Sequence, residues 1–444
     1  MIVFDNPTLR GAIVKKIRLL LLAAGLIPIA QPAVGADISF SGFGTVGYTQ
    51  SDQSYAYQRF IDNSGSFKRD SVFGVQMDAQ ITPQISFTVQ GKVAPSMNND
   101  SSWDPTVAWA FVSWRPTSDW LLRLGKLKVP SYLNAENMDV GATFDFARLP
   151  YEVYSASPTT DFTGASFNKV WNLDDNEITL DGYWGKAKTD WRFYFRDTIP
   201  GVQNAGAYYW PVNVDSKGLV LSLRQDENIY RVGMHRAIAT VDKLFPVTFP
   251  YDTATLAPTG IGFYQVSGPA VPWTRNINLN LYSMAADVGL GNDFRFAGEY
   301  VRRAVKDTDL GPDSQSAYIS LRKRIDKWTP YIIHSRLRSE SKPLDMKKAL
   351  NNSSVPAAID GFAGPGAAAM INASQRAGAD GIIAYDQYSN SLGVSYAMSP
   401  TSKIKVDWTS VHIGEASSMV DVPLGTDIRQ KAINVLSLSY SFVY

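Results

Sequence analysis

Charged side chains recur at spacings of two or four residues in four segments of this sequence. Arg231 is followed by His235, and Arg295 is followed by Glu299 and Arg303. Two later segments continue the alternation with Arg322, Arg324, Arg336 and Arg338. Successive side chains of a β-strand point to opposite faces, so each series would lie on one face of a strand. Guanidinium groups bind carboxylates and phosphates through paired hydrogen bonds, so such a face would attract and orient anions.

Large apolar side chains occupy the positions between these charges. Tyr230, Val232 and Met234 alternate with the first pair. The other segments follow the same rule with Phe294, Phe296, Tyr300, Ile319, Leu321, Ile325, Tyr331, Ile333 and Leu337. An apolar medium is expected to cover this second face, which leaves the charges on the opposite side of the sheet.

The last twelve residues, "INVLSLSYSFVY", show the same alternation most clearly. One face carries Leu436, Leu438, Tyr440, Phe442 and Tyr444, and serines occupy the other. The chain ends on an aromatic residue with a free carboxylate, and burying that charge in a protein core would be costly. At a lipid–water boundary, an aromatic ring with a polar end is favourable. The pattern therefore predicts a strand whose outer face meets lipid.

Similar strands recur along the chain, separated in turn by short turns and long connections. The short turns are "ITPQ", "RPTSD", "NLDDN", "DEN", "GLGND", "DKWT" and "SPTSK". The long connections cover residues 50–70, 94–105, 127–160, 187–215, 240–275, 305–313, 338–387 and 413–431. This arrangement is typical of an all-β, transmembrane, antiparallel up-and-down β-barrel with long extracellular loops.

Seven turns, with both chain ends on the turn side, predict a barrel of about sixteen strands. The segment "DWRFYFRD" at 190–197 also alternates and would add a seventeenth. Because bacterial barrels have an even number of strands, we interpret this segment as the extension of a hairpin beyond the membrane. The alternation in "TVAWAFVSW" leaves its two faces unassigned, since both are apolar.

Composition excludes several classes of function. The 444 residues include 42 Lys and Arg against 41 Asp and Glu, so net charge indicates no nucleic-acid partner. The absence of cysteine excludes disulfides, thiolate chemistry and cysteine-based zinc sites. We expect no metal and no cofactor.

The N-terminal residues have the order of a secretory signal peptide. A basic region containing Lys15, Lys16 and Arg18 precedes the apolar run "LLLLAAGLIPIA" and the small residues of "AVGA". We predict that residues 1–36 are removed before Asp37 and that residues 37–444 form the barrel. No later stretch approaches the roughly 20 apolar residues that a spanning helix needs.

Three stretches resemble the Gram-negative outer-membrane porins. "FSGFGTVGYT" at 40–49 and "LSLSYSFVY" at 436–444 are similar to the first and last strands of such barrels. Residues 123–154 are similar to the strand and third loop of one porin-like group, although "TFDFA" replaces that group's usual Tyr-x-Tyr-Pro-Trp run. The resemblance implies a passive channel for small hydrophilic solutes, commonly a homotrimer, whose third loop folds into the lumen. Outer-membrane lipid, lipopolysaccharide and the barrel insertion machinery are its expected partners.

The resemblance implies roles for residues of the third loop and the last strand, and the alternation of the strands predicts a basic wall. The third loop would form a constriction with Lys128, Glu136, Asp139, Asp145, Arg148 and Glu152. The opposing basic wall would comprise Arg231, Arg295, Arg303, Arg322, Arg324, Arg336 and Arg338. A field between wall and loop would discriminate charge, and we expect a weak preference for anions. Tyr440, Phe442 and Tyr444 would carry the assembly signal.

The alternatives are a barrel that hydrolyses lipid and one that serves binding or adhesion. Hydrolysis would need a Ser–His pair on the lipid side. The alternation places His235 and His334 inward, and His412 has no clear serine partner in the sequence, so we expect no enzyme activity. Residues 344–381 are rich in Ala and Gly. Their composition favours a flexible surface loop, with a short helix or an element that narrows the mouth as alternatives.

Overall fold

A computed structural model describes residues 37–248, 251–256, 259–266, 272–309 and 311–444 of the protein. The proposed signal peptide, residues 1–36, lies outside the described residues. The strands are β1 Asp37–Ser51, β2 Val72–Thr82, β3 Ile85–Pro95, β4 Trp103–Thr117, β5 Trp120–Lys128, β6 Asp161–Leu173, β7 Asn176–Phe195, β8 Gly206–Gln225, β9 Asn228–Pro246, β10 Tyr251–Leu256, β11 Ile261–Val266, β12 Trp273–Gly291, β13 Phe294–Lys306, β14 Ser314–Lys323, β15 Trp328–Ser339, β16 Tyr385–Ser399, β17 Ser402–Ser417 and β18 Ala432–Val443.

Sixteen of these strands, within the described ranges, close into one antiparallel barrel in chain order. Strands β10 and β11 form a separate hairpin in the connection between β9 and β12. The barrel closes where β18 pairs with β1, and main-chain hydrogen bonds join Gly42 and Tyr444 in both directions, at 3.0 and 3.1 Å. The predicted fold class and strand number are therefore confirmed.

Short turns join the strands at one rim, and long loops join them at the other. The seven predicted turns all occur, and several contain residues with positive φ, such as Asp174 (45°), Asp226 (52°) and Asp326 (51°). Asp and Asn tolerate this left-handed conformation better than other side chains, which explains their place in the turns. The segment 190–197 continues β7, which has 20 residues and pairs along its whole length with β8.

The faces of β18 follow the predicted alternation. Leu436 and Leu438 are about half exposed on the outer wall, whereas Ser437 and Ser439 are buried inside. The rings of Phe442 and Tyr444 lie over Gly44 and Gly42 of β1, and the contact is so close that no Cβ could be added there. In β4, whose faces the sequence left open, the structure turns Trp109, Phe111 and Ser113 inward.

The helices lie in the long loops. They are α1 Tyr151–Tyr154, α2 Ser341–Asn352, α3 Asp360–Ala363 and α4 Ala367–Gly381. No helix in the described residues is long and apolar enough to cross a membrane. The Ala- and Gly-rich segment is thus largely helical, and α2 and α4 pack through Leu350 and Ala379, both fully buried. This outer loop carries an ordered helical element, whereas its composition favoured a flexible one.

Candidate functional site

The third loop, residues 129–160, lies inside the barrel and is bonded to the opposite wall. The guanidinium of Arg231 on β9 donates hydrogen bonds to the carbonyls of Pro130 (2.8 Å) and Tyr132 (2.9 Å). The carboxylate of Glu299 on β13 accepts one from the Tyr154 hydroxyl at 2.7 Å. Because the loop starts at β5, these contacts carry it across the lumen.

Apolar packing supports the same crossing. The Phe146 ring contacts Tyr331 of β15 edge-on, with ring centroids 5.1 Å apart, and the Ala147 N–H donates to the Tyr331 hydroxyl at 2.7 Å. Ile333 of β15 and Val153 of α1 belong to the same buried cluster. The inside of the barrel is therefore a packed core on this side.

Asp139 joins the loop to the near wall through two lysines. Its carboxylate lies 2.7 Å from the Lys92 ammonium and 2.9 Å from that of Lys128. Burial alone would raise the pKa of Asp139, but the two ammonium groups outweigh burial and lower it. Two cations share one carboxylate, so this contact carries one excess positive charge.

The other acidic residues of the loop also meet partners on the wall. Asp145 lies 2.8 Å from Lys403 of β17 and 3.7 Å from Arg322 of β14. Glu136 lies 3.6 Å from Arg123. These acidic residues of the loop thus lie within 4 Å of basic side chains of the wall.

Two more residues of the predicted constriction hold the loop from its extracellular side. Arg148 lies 3.3 Å from Asp70 in the loop between β1 and β2. Glu152, on α1, accepts a hydrogen bond from the Gln387 side chain of β16 at 3.0 Å. Both groups serve as anchors of the loop.

Four of the predicted wall arginines lie on the inner face, namely Arg231, Arg295, Arg303 and Arg322. Arg295 and Arg322 share Asp287 of β12, at 2.9 and 2.6 Å. Arg303 is buried against Ser314 and the carbonyl of Ala156. Arg324 follows the last residue of β14 and is exposed at the turn, so it is not part of this wall.

Lys405 on β17 is a buried cation that the sequence reasoning missed. Its ammonium donates to the carbonyls of Gly141 (2.5 Å) and Phe146 (3.0 Å) of the loop. The signal was present in the sequence, since Lys403, Lys405 and Asp407 alternate in "KIKVDW" as the chosen arginines do. Lys92 on β3 was missed in the same way.

Three comparisons with known proteins were informative to different degrees, and only solved structures gave matches. No protein-family model and no curated protein matches this sequence. OmpT of Vibrio cholerae is 11% identical with a TM-score of 0.49, over 92% of this chain and 98% of that chain. An anion-selective porin from Comamonas acidovorans is 10% identical (TM-score 0.48, coverage 92% and 100%). The outer-membrane channel DcaP of Acinetobacter baumannii is 9% identical (0.49, 93% and 98%).

The fold is a closed antiparallel β-barrel of sixteen strands within the described residues. The solved structures it resembles include porins, as the sequence motifs indicated. At these identities and TM-scores the likeness gives no information about what this chain does.

The loop-side mouth of the barrel is crossed by ion pairs between loops. Arg192, on the extension of β7, lies 2.8 Å from Asp100 in the loop after β3. The same guanidinium lies 2.6 Å from Asp421 in the loop after β17. Strands β7 and β17 stand on opposite sides of the barrel, so the Arg192–Asp421 pair spans the mouth. Arg196 and Asp380 of α4 form a second such link.

The prediction that Arg336 and Arg338 face the lumen is wrong. Both point outward from β15, while Tyr331, Ile333 and Leu337 point inward. The third loop covers this part of the inner wall with apolar groups, so the apolar face of β15 is the inner one. The outer face here lies towards the loops, where water and headgroups accommodate charge.

The structure also changes the interpretation of His334 and His412. His334 points outward and contacts the Asn390 amide at 2.8 Å. His412 has a serine neighbour after all, since its Nε2 lies 3.4 Å from the Ser410 hydroxyl on the outer face. In the described residues no hydrogen bond orients its other ring nitrogen, and its ring stacks on Tyr388. His235 lies inside the barrel, as expected.

Proposed function

We propose that this chain is an outer-membrane porin through which small hydrophilic solutes diffuse passively. The observation that carries the proposal is a closed barrel with an apolar outer wall, crossed inside by a loop that ion pairs hold in place. In this proposal residues 1–36 direct export and are removed, and residues 37–444 form the channel. Barrels of this kind enclose an aqueous path because their inner positions are polar.

A weak anion preference is the second part of the proposal. Most charges at the constriction are paired, so the preference depends on the few cationic groups that lack a carboxylate partner of their own. Lys92 and Lys128 share only Asp139, and Arg231 and Lys405 are held by main-chain carbonyls. Glu299 and Asp407 oppose part of this excess, because their partners within the described residues are neutral groups.

Homotrimer formation fits the outer wall of β1–β3. Its outward positions are apolar or glycine through most of their height, including Phe40, Gly44, Val75 and Val89. A smooth apolar face of this extent permits close packing of a second barrel. Cross-linking of the native protein in membranes should give a ladder that ends at three subunits.

Single-channel recording in a planar bilayer tests the function. Purified protein should produce discrete ohmic current steps, and their reversal potential in a salt gradient should indicate anions. The preference should fade with salt, because the Debye length falls from about 30 Å at 0.01 M to about 3 Å at 1 M. A silent bilayer in the presence of correctly folded protein would refute the channel.

We propose no enzyme activity for the outer Ser410–His412 pair. Backbone N–H groups within a sheet are engaged in its ladder, which leaves few donors to stabilise an oxyanion. The test is release of fatty acid from phospholipid vesicles by wild type and by Ser410→Ala. Hydrolysis by the wild type that the substitution abolishes would establish a lipid-hydrolysing barrel instead.

A further inference from the structure

The outer wall contains a groove where β4–β9 and β12 face the membrane. Its volume is about 1010 Å³, and its apolar lining is exposed, with Leu124 at 67%, Trp184 at 64% and Met234 at 56%. Lipid covers the whole outer wall of a barrel. A depression of this volume can enclose part of one molecule and so retain it in preference to bulk lipid.

Strand pairing places two rows of outward side chains along this groove. The row nearer the loops contains Leu124, Ala165, Trp184, Lys217, Arg236 and Asn280. The row below it contains Leu122, Phe167, Gly182, Leu219, Met234 and Tyr282. Ala165 and Gly182 are neighbours in the two rows and form the floor, because neither extends a side chain into the membrane.

Two cations stand at the loop-side edge of the groove. Lys217 of β8 and Arg236 of β9 are directly opposite each other in the ladder, and both are exposed. Neither makes an ion pair or a side-chain hydrogen bond within the described residues. Like charges in a direct cross-strand pair are destabilising. An anion bound between the two side chains would remove that penalty.

Neighbouring lysines of the outer wall show that these two are unusual. One row closer to the loops, Lys186 lies 3.3 Å from Asp215. On β5, Lys126 lies 3.2 Å from Asp161. The cations at the groove are thus left without the carboxylate partner that the adjacent lysines have, and the missing negative charge must come from outside the chain.

The position of the cations in the membrane identifies the kind of anion. They lie just on the loop side of Leu219 and Met234, at the upper end of the apolar wall. Trp184 and Tyr282 flank them, as aromatic residues flank the headgroup level of a bilayer. The long loops mark the extracellular side, so this level is that of the phosphates in the outer leaflet.

We propose that this groove binds the phosphorylated lipid A portion of lipopolysaccharide. One phosphate lies between Lys217 and Arg236, where a guanidinium and an ammonium can both donate to it, and the Asn280 amide adds a donor. An acyl chain follows the floor over Ala165 and Gly182. The inference rests on the proposed outer-membrane location and adds a specific lipid site to it.

Native mass spectrometry of the delipidated full-length protein, titrated with defined lipids, tests the site. Bisphosphorylated lipid A should bind at least tenfold more tightly than phosphatidylglycerol or phosphatidylethanolamine. Lys217→Gln combined with Arg236→Gln should lose this advantage. Ala165→Trp fills the floor without changing charge and should weaken binding as well. A difference in electrophoretic mobility between unheated and heated samples, typical of a closed barrel, verifies that each variant is folded.

Arg336→Gln combined with Arg338→Gln is the matched control, since it removes two outward charges from β15, which lies outside the groove. An equal loss in this control would mean diffuse surface charge and would overturn the site. If phosphatidylglycerol bound as tightly as lipid A, the groove would be a site for any anionic lipid, and the proposed specificity for lipid A would be wrong. The sequence has no cysteine, so Ala165→Cys introduces a single one. Disulfide cross-links between two copies of this variant would show that the groove is a contact between subunits and would overturn the lipid site. Normal conductance alongside any of these results would leave the porin function intact.

Discussion

Single residues at the constriction decide how much charge a solute meets. Asp139 is the key one, because its carboxylate neutralises only one of the two lysines beside it. Asp139→Asn should therefore shift the reversal potential towards stronger anion preference, most clearly at low salt. Asp427→Asn is the control, since its carboxylate pairs with Arg429 in an exposed outer loop. An unchanged reversal potential in the Asp139 variant would place selectivity elsewhere.

Arg295 and Arg322, which both pair with Asp287, allow a test in the opposite direction, towards cation preference. Arg295→Ala combined with Arg322→Ala leaves Asp287 without a cationic partner and should shift the reversal potential towards cations. The same double change at Arg336 and Arg338 removes equal charge from the outer wall. It should leave the reversal potential where it was, and a matching shift there would mean that these side chains do not act through the lumen.

Alternation alone could predict which residues share a face, but it could not always predict which face was inner. Arg231, Arg295 and Arg322 were assigned correctly because lipid covers the apolar side of their strands. Arg336 was assigned wrongly because Tyr331 and Ile333 pack against the third loop. That contact depends on residues nearly two hundred positions away in sequence, and no local pattern contains it.

At the scale of the element, the last strand, β18, is predicted to be needed for assembly of the barrel in the outer membrane. Phe442 and Tyr444 cover Gly44 and Gly42 of β1 at the seam of the barrel. Replacing both by serine removes two rings from the interfacial belt, and the porin resemblance implies that assembly reads this strand. The variant should accumulate in the periplasm when fractions are compared.

A control for this variant is the aromatic pair at the same rim of β15 and β16. Trp328 and Tyr396 pack with ring centroids 4.5 Å apart. Their replacement by serine removes as many rings from the belt but leaves the last strand intact, so most of the protein should still reach the outer membrane. Equal losses in the two variants would indicate a general need for rings rather than a signal in β18.

The helical loop between β15 and β16 contains a buried lysine, Lys347, whose loss of a proton should change the stability of the loop. Lys347 of α2 is buried, and its ammonium bonds to the Ile382 carbonyl at 3.0 Å. Burial lowers its pKa to about 8, with partial compensation by Asp380. An unfolded lysine keeps its proton up to its ordinary pKa of 10.5. The free energy of unfolding this loop should therefore rise with pH between about 8 and 10.5.

Lys347→Met should abolish that rise and stabilise the loop at neutral pH by on the order of 2 kcal/mol. Hydrogen exchange of residues 341–381, compared with wild type at each pH, provides the measurement. Lys342→Met, an exposed lysine of the same helix, is the control and should change little. A pH dependence that survives in the Lys347 variant would contradict this role.

At the scale of the whole molecule, Arg192 links loops across the mouth. From the extension of β7 it contacts Asp100 and, on the opposite side of the barrel, Asp421. Arg192→Ala should free the loop after β17, because Asp421 loses the only ion-pair partner it has within the described residues, whereas Asp100 keeps Arg59 at 2.9 Å. Single-channel conductance should then increase, or its fluctuations should become more frequent.

Arg429→Ala is the control for the mouth, since this pair with Asp427 stays within one loop. Its conductance should equal that of wild type. An Arg192 variant with unchanged conductance and unchanged fluctuations would show that the narrowest section lies deeper, at the third loop. Sequence patterns predicted the length of these loops but not their meeting, because pairs such as Arg192 and Asp421 are set by the closed shape of the barrel.

The bonds between Gly42 and Tyr444 join the first and last strands of the barrel. Every earlier stage of synthesis leaves a sheet with two unpaired edges, which are open to pairing with other chains. The barrel cannot be completed domain by domain as it leaves the ribosome, and the entropy of closing its longest loop is lost in one late step. A chain that lacks even its final strand keeps both edges, so closure also distinguishes complete molecules from truncated ones before they settle in the membrane.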